Sequence, residues 1–243
     1  MEHTLVIIPT YNERDNIGLM IDAVLGDYPG IHLLVVDDNS PDGTAALVSD
    51  KMADYPERLY LESRMKKQGL GTAYIHGFKW ALAKDYQFVF EMDADFSHNP
   101  ADIQILHEAC AVHGADLAIG SRYVKGVNVV NWPMSRVLLS YIASKYVRLI
   151  TRMDIHDTTA GFKCYKISLL RKLNLDKIKF IGYAFQIEMK FKAYLLKAKI
   201  VEIPVIFTDR SRGQSKMSSG IINEAAIGIL RMKMKSLLGK LEL

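Results

Sequence analysis

Short apolar runs alternate with amphipathic stretches through the first half of the chain. Segments between the runs, such as 12–25, repeat apolar residues three or four positions apart, which predicts helices. Strands that alternate with helices indicate a mostly parallel sheet covered on both faces, so the pattern predicts an α/β fold. Five apolar runs have the length and composition of strands: 5–9, 31–36, 58–62, 87–92 and 117–120.

The second half is less regular. Helices are predicted over 133–152 and 221–241, and each pairs an apolar stripe with lysines and arginines. A strand around Pro204 is expected at a sheet edge or a bulge, because proline has no amide hydrogen to donate. No repeat, linker or low-complexity run divides the sequence. We therefore expect one domain, in which residues 1–217 form the main body and 218–243 a C-terminal amphipathic helix.

Bulk composition narrows the class of protein without fixing it. The chain has 243 residues, 49% of them hydrophobic, which suffices for one large core. A net charge of +4 suits phosphorylated small molecules, anionic lipid or nucleic acid equally well. No run reaches the ~18 apolar residues of a membrane span, and the first residues do not resemble a secretory signal. Cys110 and Cys164 are expected to be reduced, as in a cytosolic protein.

Two carboxylates, Asp93 and Asp95, end the apolar run 87–92. Side chains two positions apart in extended chain point the same way, so both can face one hard cation. Mg²⁺ takes oxygen ligands and keeps positions for substrate phosphates. Polar loops at 9–13 and 37–43 follow earlier strands, at the carboxyl ends where α/β sheets bind ligands. A metal site for a diphosphate is one interpretation, and a capped strand end with solvated acids is the other.

Six motifs resemble those of family-2 glycosyltransferases of the GT-A type. The similarity runs from about residue 4 to 217. Within the family, the motifs at 37–44 and 182–188 are most similar to those of the polyprenyl-phosphate sugar synthases, in particular to those of mannose synthases that use dolichol phosphate. The motifs are PTYNE at 9–13, DDNSPDGT at 37–44, GLG at 69–71, DAD at 93–95, GSRY at 120–123 and GYAFQIE at 182–188.

The resemblance implies a Rossmann-like GT-A fold and an inverting transfer of mannose. The implied donor is GDP-mannose, and the implied acceptor is a polyprenyl monophosphate, dolichyl or undecaprenyl. It also implies Mg²⁺ or Mn²⁺ as cofactor and a peripheral position on the cytoplasmic face of a membrane, with no nucleic acid partner. Some relatives have a glutamine as an extra ligand near the metal where this chain has Ser97, a shorter and weaker ligand.

The same resemblance assigns roles to individual residues. Asp93 and Asp95 would hold the metal, and Ala94 would join them in holding the diphosphate. Asp95, Arg122 and Arg136 would form the catalytic set. The residues implied to hold the nucleoside are Pro9, Tyr11, Glu13, Val36 and Asp38. The residues implied to hold the phosphates of donor and acceptor are Arg122, Arg136, Arg210 and Lys216.

Several alternatives stay open. A dehydrogenase is disfavoured because the first strand is followed by PTYNER and not by a glycine-rich G-x-G-x-x-G turn. Another donor such as UDP-glucose, a saccharide acceptor, or an inactive relative that binds lipid or a protein partner all fit the motifs. Gln186 and Glu188 either face the sugar or acceptor, or form a buried hydrogen-bonded pair. Trp132 either lines the acceptor entrance or is a core aromatic.

Overall fold

The computed structural model of the protein describes residues 1–182, 184–209 and 220–243. The strands in these residues are β1 (Thr4–Thr10), β2 (Ile31–Asp37), β3 (Leu59–Ser63), β4 (Phe88–Glu91), β5 (Leu117–Ser121), β6 (Val129–Val130), β7 (Lys163–Lys166), β8 (Ile200–Pro204) and β9 (Phe207–Thr208). The helices are α1 (Arg14–Asp27), α2 (Thr44–Lys51), α3 (Leu70–Leu82), α4 (Ile103–Ala111), α5 (Met134–Thr151), α6 (Ile167–Lys172), α7 (Ala184–Leu195) and α8 (Gly220–Leu237).

The main sheet of the described residues has the strand order β3-β2-β1-β4-β7-β5-β8. All neighbours are parallel except β7, which runs antiparallel to both β4 and β5. The predicted α/β fold with a mostly parallel sheet is therefore confirmed. Pro204 ends the edge strand β8, as its missing amide hydrogen predicts. β6 and β9 form a separate small parallel pair.

Both faces of the main sheet are buried. Leu5 and Ile7 of β1 belong to one hydrophobic cluster of the described residues, and Val6 and Ile8 belong to another. Helix α3 lies so close to β1 that a Cβ added to Gly77 would come within 2.7 Å of Ile7 Cγ2. Strands covered on both sides have continuous apolar sequences, which explains why the apolar runs located β1, β2, β4 and β5.

The region around β7 departs from the sequence-based expectation. An apolar run carries no information about strand direction, and the structure inserts β7 antiparallel between the parallel strands β4 and β5. Helix α6 was not predicted, because six residues are too short to show a helical period. Helix α5 packs against α8 near the C-terminus, with Tyr146 donating to the carbonyl of Ala226 at 3.2 Å.

Candidate active site

The paired carboxylates lie at the carboxyl end of β4. The backbone N–H and the hydroxyl of Ser97 both donate to Asp95 Oδ1, at 3.1 and 2.5 Å. The Tyr74 hydroxyl lies 3.4 Å from Asp93 Oδ1. Ser97 therefore orients Asp95. Both carboxylates border a cavity of about 410 Å³.

The donor set fits a hard divalent cation that keeps positions for other ligands. No group of three or more His, Cys, Asp or Glu side chains that could hold a metal occurs among residues 1–182, 184–209 and 220–243. A closed structural site needs about four protein ligands. Two carboxylates instead suit Mg²⁺ or Mn²⁺, whose remaining oxygen ligands come from phosphate and water. Asp93 and Asp95, with the largely buried Ala94 between them, are the carboxylates that could hold such an ion.

His98 lines the cavity and supports the backbone of the loop that carries the two carboxylates. Its Nδ1 accepts a hydrogen bond from the backbone N–H of Asp93 at 3.3 Å, and its ring stacks on Phe162 with centroids 5.1 Å apart. Burial lowers the pKa of His98 to about 4. The ring is therefore neutral at physiological pH, and it fixes the backbone beside the carboxylates without adding charge.

Arg122, which directly follows β5, is clamped by a buried carboxylate. Its backbone N–H and Nε donate to Asp157 Oδ2 at 3.0 and 2.7 Å, and its Nη2 donates to Asp157 Oδ1 at 2.6 Å. Nη2 also donates to the Thr159 hydroxyl at 2.8 Å. Burial alone would raise the pKa of Asp157, but the charge and hydrogen bonds of Arg122 outweigh it, so that pKa is lowered. The guanidinium is thus held in one orientation at the cavity wall.

Arg136, near the start of α5, meets Arg122 around a shared aromatic ring. Its guanidinium carbon lies 4.1 Å from the centroid of Trp132, and that of Arg122 lies 5.4 Å from the same centroid. Arg136 Nη1 also donates to Asp209 Oδ1 at 2.7 Å. Trp132 is half-buried and lines the cavity. Arg210 and Lys216, the other predicted phosphate ligands, lie outside the described residues.

The two acids that end β2 differ in their surroundings. Asp37 is fully buried and accepts hydrogen bonds from the Thr10 hydroxyl at 2.8 Å and the Ser40 hydroxyl at 2.6 Å. Asp37 therefore links the end of β1 to the loop that follows β2. Asp38, predicted to hold the nucleoside, forms an ion pair with Arg64 at the end of β3. Both acids are therefore buried and paired within the protein, and Asp38 also accepts a hydrogen bond from the backbone N–H of Gln68 at 3.1 Å.

The other residues predicted to hold the nucleoside gather at the same end of the sheet. Pro9 and Val36 are neighbours in the β1–β2 register. The side chain of Val36 is fully buried, so the main chain is the part of this residue left for contact with a ligand. Lys67 Nζ lies 4.2 Å from the ring centroid of Tyr11. Glu13 Oε2 accepts a hydrogen bond from Asn16 Nδ2, one helical turn later, at 3.0 Å.

The cavity has a polar end and an apolar end. The polar end holds four predicted residues, Asp93, Asp95, Arg122 and Arg136. The apolar end opens between α5 and α8. Its lining side chains include Leu139, Ile142, Ala143, Tyr146 and Ile229.

A buried polar network reaches the cavity from the middle of the sheet. Lys163 and Glu91 are fully buried and form an ion pair at 2.9 Å. Gln186 bridges them: its Oε1 accepts from Lys163, and its Nε2 donates to Glu91 at 2.7 Å. Burial lowers the pKa of Lys163 despite the opposing effect of Glu91. The sequence left the roles of Gln186 and Glu188 open. Gln186 lines the cavity, whereas Glu188 accepts hydrogen bonds from the backbone N–H groups of residues 179 and 180.

Sequence reasoning did not single out several residues that shape the site. Asp157 and Thr159 lie in an irregular segment before β7, and Lys190 holds this segment by donating to two of its carbonyls, at 3.0 and 2.7 Å. Burial lowers the pKa of Lys190 well below its ordinary value. The one available signal was the polar run HDTT at 156–159, which has no periodicity and matches no metal-site spacing.

A sheet of this topology with paired carboxylates at its rim is the architecture of GT-A type glycosyltransferases. Solved structures of glucosyl-3-phosphoglycerate synthase from Mycobacterium tuberculosis share the fold. The complex with Mn²⁺, uridine diphosphate and phosphoglyceric acid has a TM-score of 0.69 at 17% sequence identity, covering 98% of this chain and 78% of that chain. The complex with Mn²⁺, uridine diphosphate and glucosyl-3-phosphoglycerate has a TM-score of 0.65 at 18% identity, covering 98% and 79%.

The family model named Glycosyl transferase family 2 matches residues 5–174, and the chain belongs to this family. A polyprenol monophosphomannose synthase from Mycolicibacterium smegmatis is 46% identical over 224 residues, which cover 92% of this chain and 84% of the relative. An undecaprenyl-phosphate mannosyltransferase from Micrococcus luteus is 44% identical over 227 residues, covering 93% and 92%. The predicted family is therefore confirmed.

Proposed function

We propose that the protein is an inverting glycosyltransferase that moves mannose from GDP-mannose to a polyprenyl monophosphate, dolichyl or undecaprenyl, with the help of Mg²⁺ or Mn²⁺. One observation carries the proposal. A single cavity joins the carboxylate pair and two arginines to an apolar cleft between α5 and α8. The names of the two similar proteins support mannose as the sugar and a polyprenyl phosphate as the acceptor.

The apolar end of the cavity suits a lipid better than a saccharide. Leu139, Ile142 and Ile229 offer no hydrogen-bonding groups, whereas a sugar acceptor would leave buried hydroxyls unpaired there. Each CH₂ group of a polyprenyl chain gains about 0.8 kcal/mol when it leaves water for an apolar surface. The cleft therefore favours an acceptor with a hydrocarbon tail and a single phosphate head.

The polar end suits that phosphate head. A phosphate monoester has a second pKa near ~6, so it is anionic at neutral pH and attacks without a general base. Two like charges ~4 Å apart repel by about 4 kcal/mol at an effective dielectric of ~20, so a phosphate approaching a diphosphate needs cations beside it. Arg122, held by Asp157, and Arg136 supply fixed guanidinium groups at this point.

The donor end completes the mechanism. When bound, a divalent cation neutralises the charge that develops on the leaving diphosphate. Asp93 and Asp95 are proposed as its ligands, and the hydrogen bonds of Ser97 keep Asp95 in one orientation. We assign the nucleoside to the ends of β1 and β2. Its proposed contacts are Pro9, Tyr11, Glu13, Val36 and Asp38, and the resemblance adds Arg210 and Lys216 to the phosphate ligands.

Contact with a membrane follows from the lipid acceptor. Among the described residues, no helix combines the length and apolar character needed to cross a bilayer. Helices α5 and α8 nevertheless expose large apolar side chains beside Lys145 and Lys235. Helices of this kind lie in the headgroup layer, so we propose a peripheral position on the cytoplasmic face. The exposed apolar side chains are Leu138, Ile142, Leu149, Leu230, Met234 and Leu237.

Vesicle flotation tests the membrane surface. Leu149 and Leu237 are 77% and 68% exposed, so aspartate is tolerated at both positions by the fold. The double variant Leu149→Asp/Leu237→Asp should lose flotation with anionic vesicles. Val112, which follows α4 and is 72% exposed, provides the matched control Val112→Asp. Equal flotation of both variants would argue against docking through α5 and α8.

Transfer of radiolabelled sugar tests the activity. The protein is incubated with GDP-mannose or UDP-glucose, Mn²⁺ and either undecaprenyl or dolichyl phosphate, and label is counted in the organic phase. We expect label from GDP-mannose alone and none with Asp95→Asn. Label from UDP-glucose would overturn the proposed donor. Label in the aqueous phase of a parallel reaction, with a soluble saccharide in place of the lipid, would overturn the proposed acceptor. No label with any pair would favour an inactive relative that binds lipid or a partner.

A further inference from the structure

Gln186 is fixed in a way that a purely structural amide does not require. It lies in the first turn of α7, is nearly fully buried and borders the cavity. Lys163 donates to its Oε1, and its Nε2 donates to Glu91. An amide between an ammonium and a carboxylate has one favourable orientation, with oxygen toward Lys163 and nitrogen toward Glu91. Tyr165 donates to Glu91 at 2.8 Å and holds that carboxylate as well.

The fixed orientation leaves a donor for the cavity. An amide nitrogen carries two hydrogens. In the part of the chain that the structure describes, Gln186 Nε2 has one acceptor, Glu91. The ion pair of Glu91 and Lys163 already balances the buried charges. Gln186 therefore presents an uncharged N–H to a ligand without adding charge beside a bound diphosphate.

Gly161 keeps open the space in front of this donor. A Cβ built on Gly161 would lie 3.8 Å from Gln186 Nε2, 3.8 Å from Asp93 Oδ2 and 3.6 Å from His98 Cε1. The amide and the metal-site carboxylate thus flank the same small space. A diphosphate held at Asp93 carries its sugar on its terminal phosphate, so the hexose is the ligand part within reach of this space.

We propose that Gln186 is a substrate-binding residue whose Nε2–H donates to a hydroxyl oxygen of the transferred hexose. Glu91 and Lys163 orient the amide, and Gly161 leaves room for the sugar. This inference rests on the proposed function, because it requires a nucleotide-hexose at the carboxylate pair. Discrimination between hexoses would then come partly from one uncharged hydrogen bond.

A donor series tests the contact. Gln186→Met has similar length and no polar atoms, and Glu91 and Lys163 keep their direct ion pair in it. The measurement is kcat/KM with the nucleotide-hexose that the wild type transfers and with its four monodeoxy analogues. For the wild type, we expect removal of one particular hydroxyl to lower kcat/KM roughly 10–100-fold. In Gln186→Met this loss should vanish, whereas the losses caused by removing each of the other three hydroxyls should persist. An equal loss with every donor would indicate a structural role and overturn the proposal.

Gly161→Ala provides a second, independent test. The added methyl would sit at ordinary van der Waals distances, so the melting temperature should not change. The methyl would nevertheless occupy the proposed sugar space, so kcat/KM for the donor should fall by about tenfold or more. Unchanged kcat/KM would show that the hexose lies elsewhere. Absence of transfer by the wild type with every donor would instead refute the proposed function, so the two failures are distinct.

Discussion

Replacing Asp157 with asparagine should damage stability and activity together. The Asp157 carboxylate is fully buried and accepts from the backbone N–H, Nε and Nη2 of Arg122. Asparagine keeps one acceptor oxygen but places an NH₂ group against donors of Arg122. The buried guanidinium then lacks its counter-ion and its fixed orientation.

The size of the effect follows from the burial. Removing one partner of a buried ion pair costs about 3–5 kcal/mol. Asparagine retains one hydrogen-bond acceptor, so we expect the lower end, about 3 kcal/mol. In a protein of this length, that loss lowers the melting temperature by roughly 6–12 °C. Under the proposed phosphate role of Arg122, misorientation of its guanidinium should reduce kcat/KM by about 10²–10³-fold, comparable to the loss of one donor to a developing anion.

A double-mutant cycle separates the two effects. Arg122→Met alone should destabilise, because it leaves the Asp157 carboxylate buried without its partner. In Arg122→Met/Asp157→Asn both charges are gone, and the asparagine oxygen can still accept the backbone N–H of residue 122. We therefore expect the double variant to melt higher than either single variant, while activity stays low because the guanidinium is absent. Additive losses of stability, or wild-type activity in Asp157→Asn, would refute the clamp.

Three further predictions address other parts of the molecule. Ser97→Ala should raise the Mn²⁺ concentration for half-maximal activity by about tenfold or more, whereas Ser97→Thr keeps the hydroxyl and should not. Ala143→Phe should reduce transfer to undecaprenyl phosphate more than transfer to a short-chain isoprenyl phosphate, because it narrows the apolar end; equal losses would place the chain elsewhere. Burial lowers the pKa values of His32, His98 and His107, so the unfolded state binds more protons below pH ~6.5. Melting temperature should therefore fall as pH drops from 7.5 to 5, and a rise would contradict this.

The sequence was informative where local pattern and structure coincide. Strands β1, β2 and β4 are buried on both faces, so their apolar runs stand out. Asp93 and Asp95 could be paired from sequence because their spacing alone puts them together. Arg122 was found through its motif, and its place at the cavity agrees with the phosphate role that the resemblance implied. That role itself stays a prediction.

The residues that support the site could not be predicted because their partners are distant in sequence. Glu91 and Lys163 face each other in the register of β4 and β7, 72 residues apart. A lysine in the centre of a sheet contradicts the hydrophobic pattern of a buried strand, and only the opposing carboxylate makes it tolerable. The contact of Gln186 with this pair depends in turn on α7 packing over the same point.

The direction of β7 explains why these supporting residues meet at the active site. In a wholly parallel sheet, the segment before a strand lies at the rim opposite to the ligand. Because β7 runs antiparallel, Lys163 at its start pairs with Glu91 at the end of β4, on the ligand side. The chain just before β7 therefore delivers Asp157 to Arg122 and Gly161 to Asp93. One reversed strand thus links Arg122, the carboxylate pair and the proposed sugar contact within a single sheet.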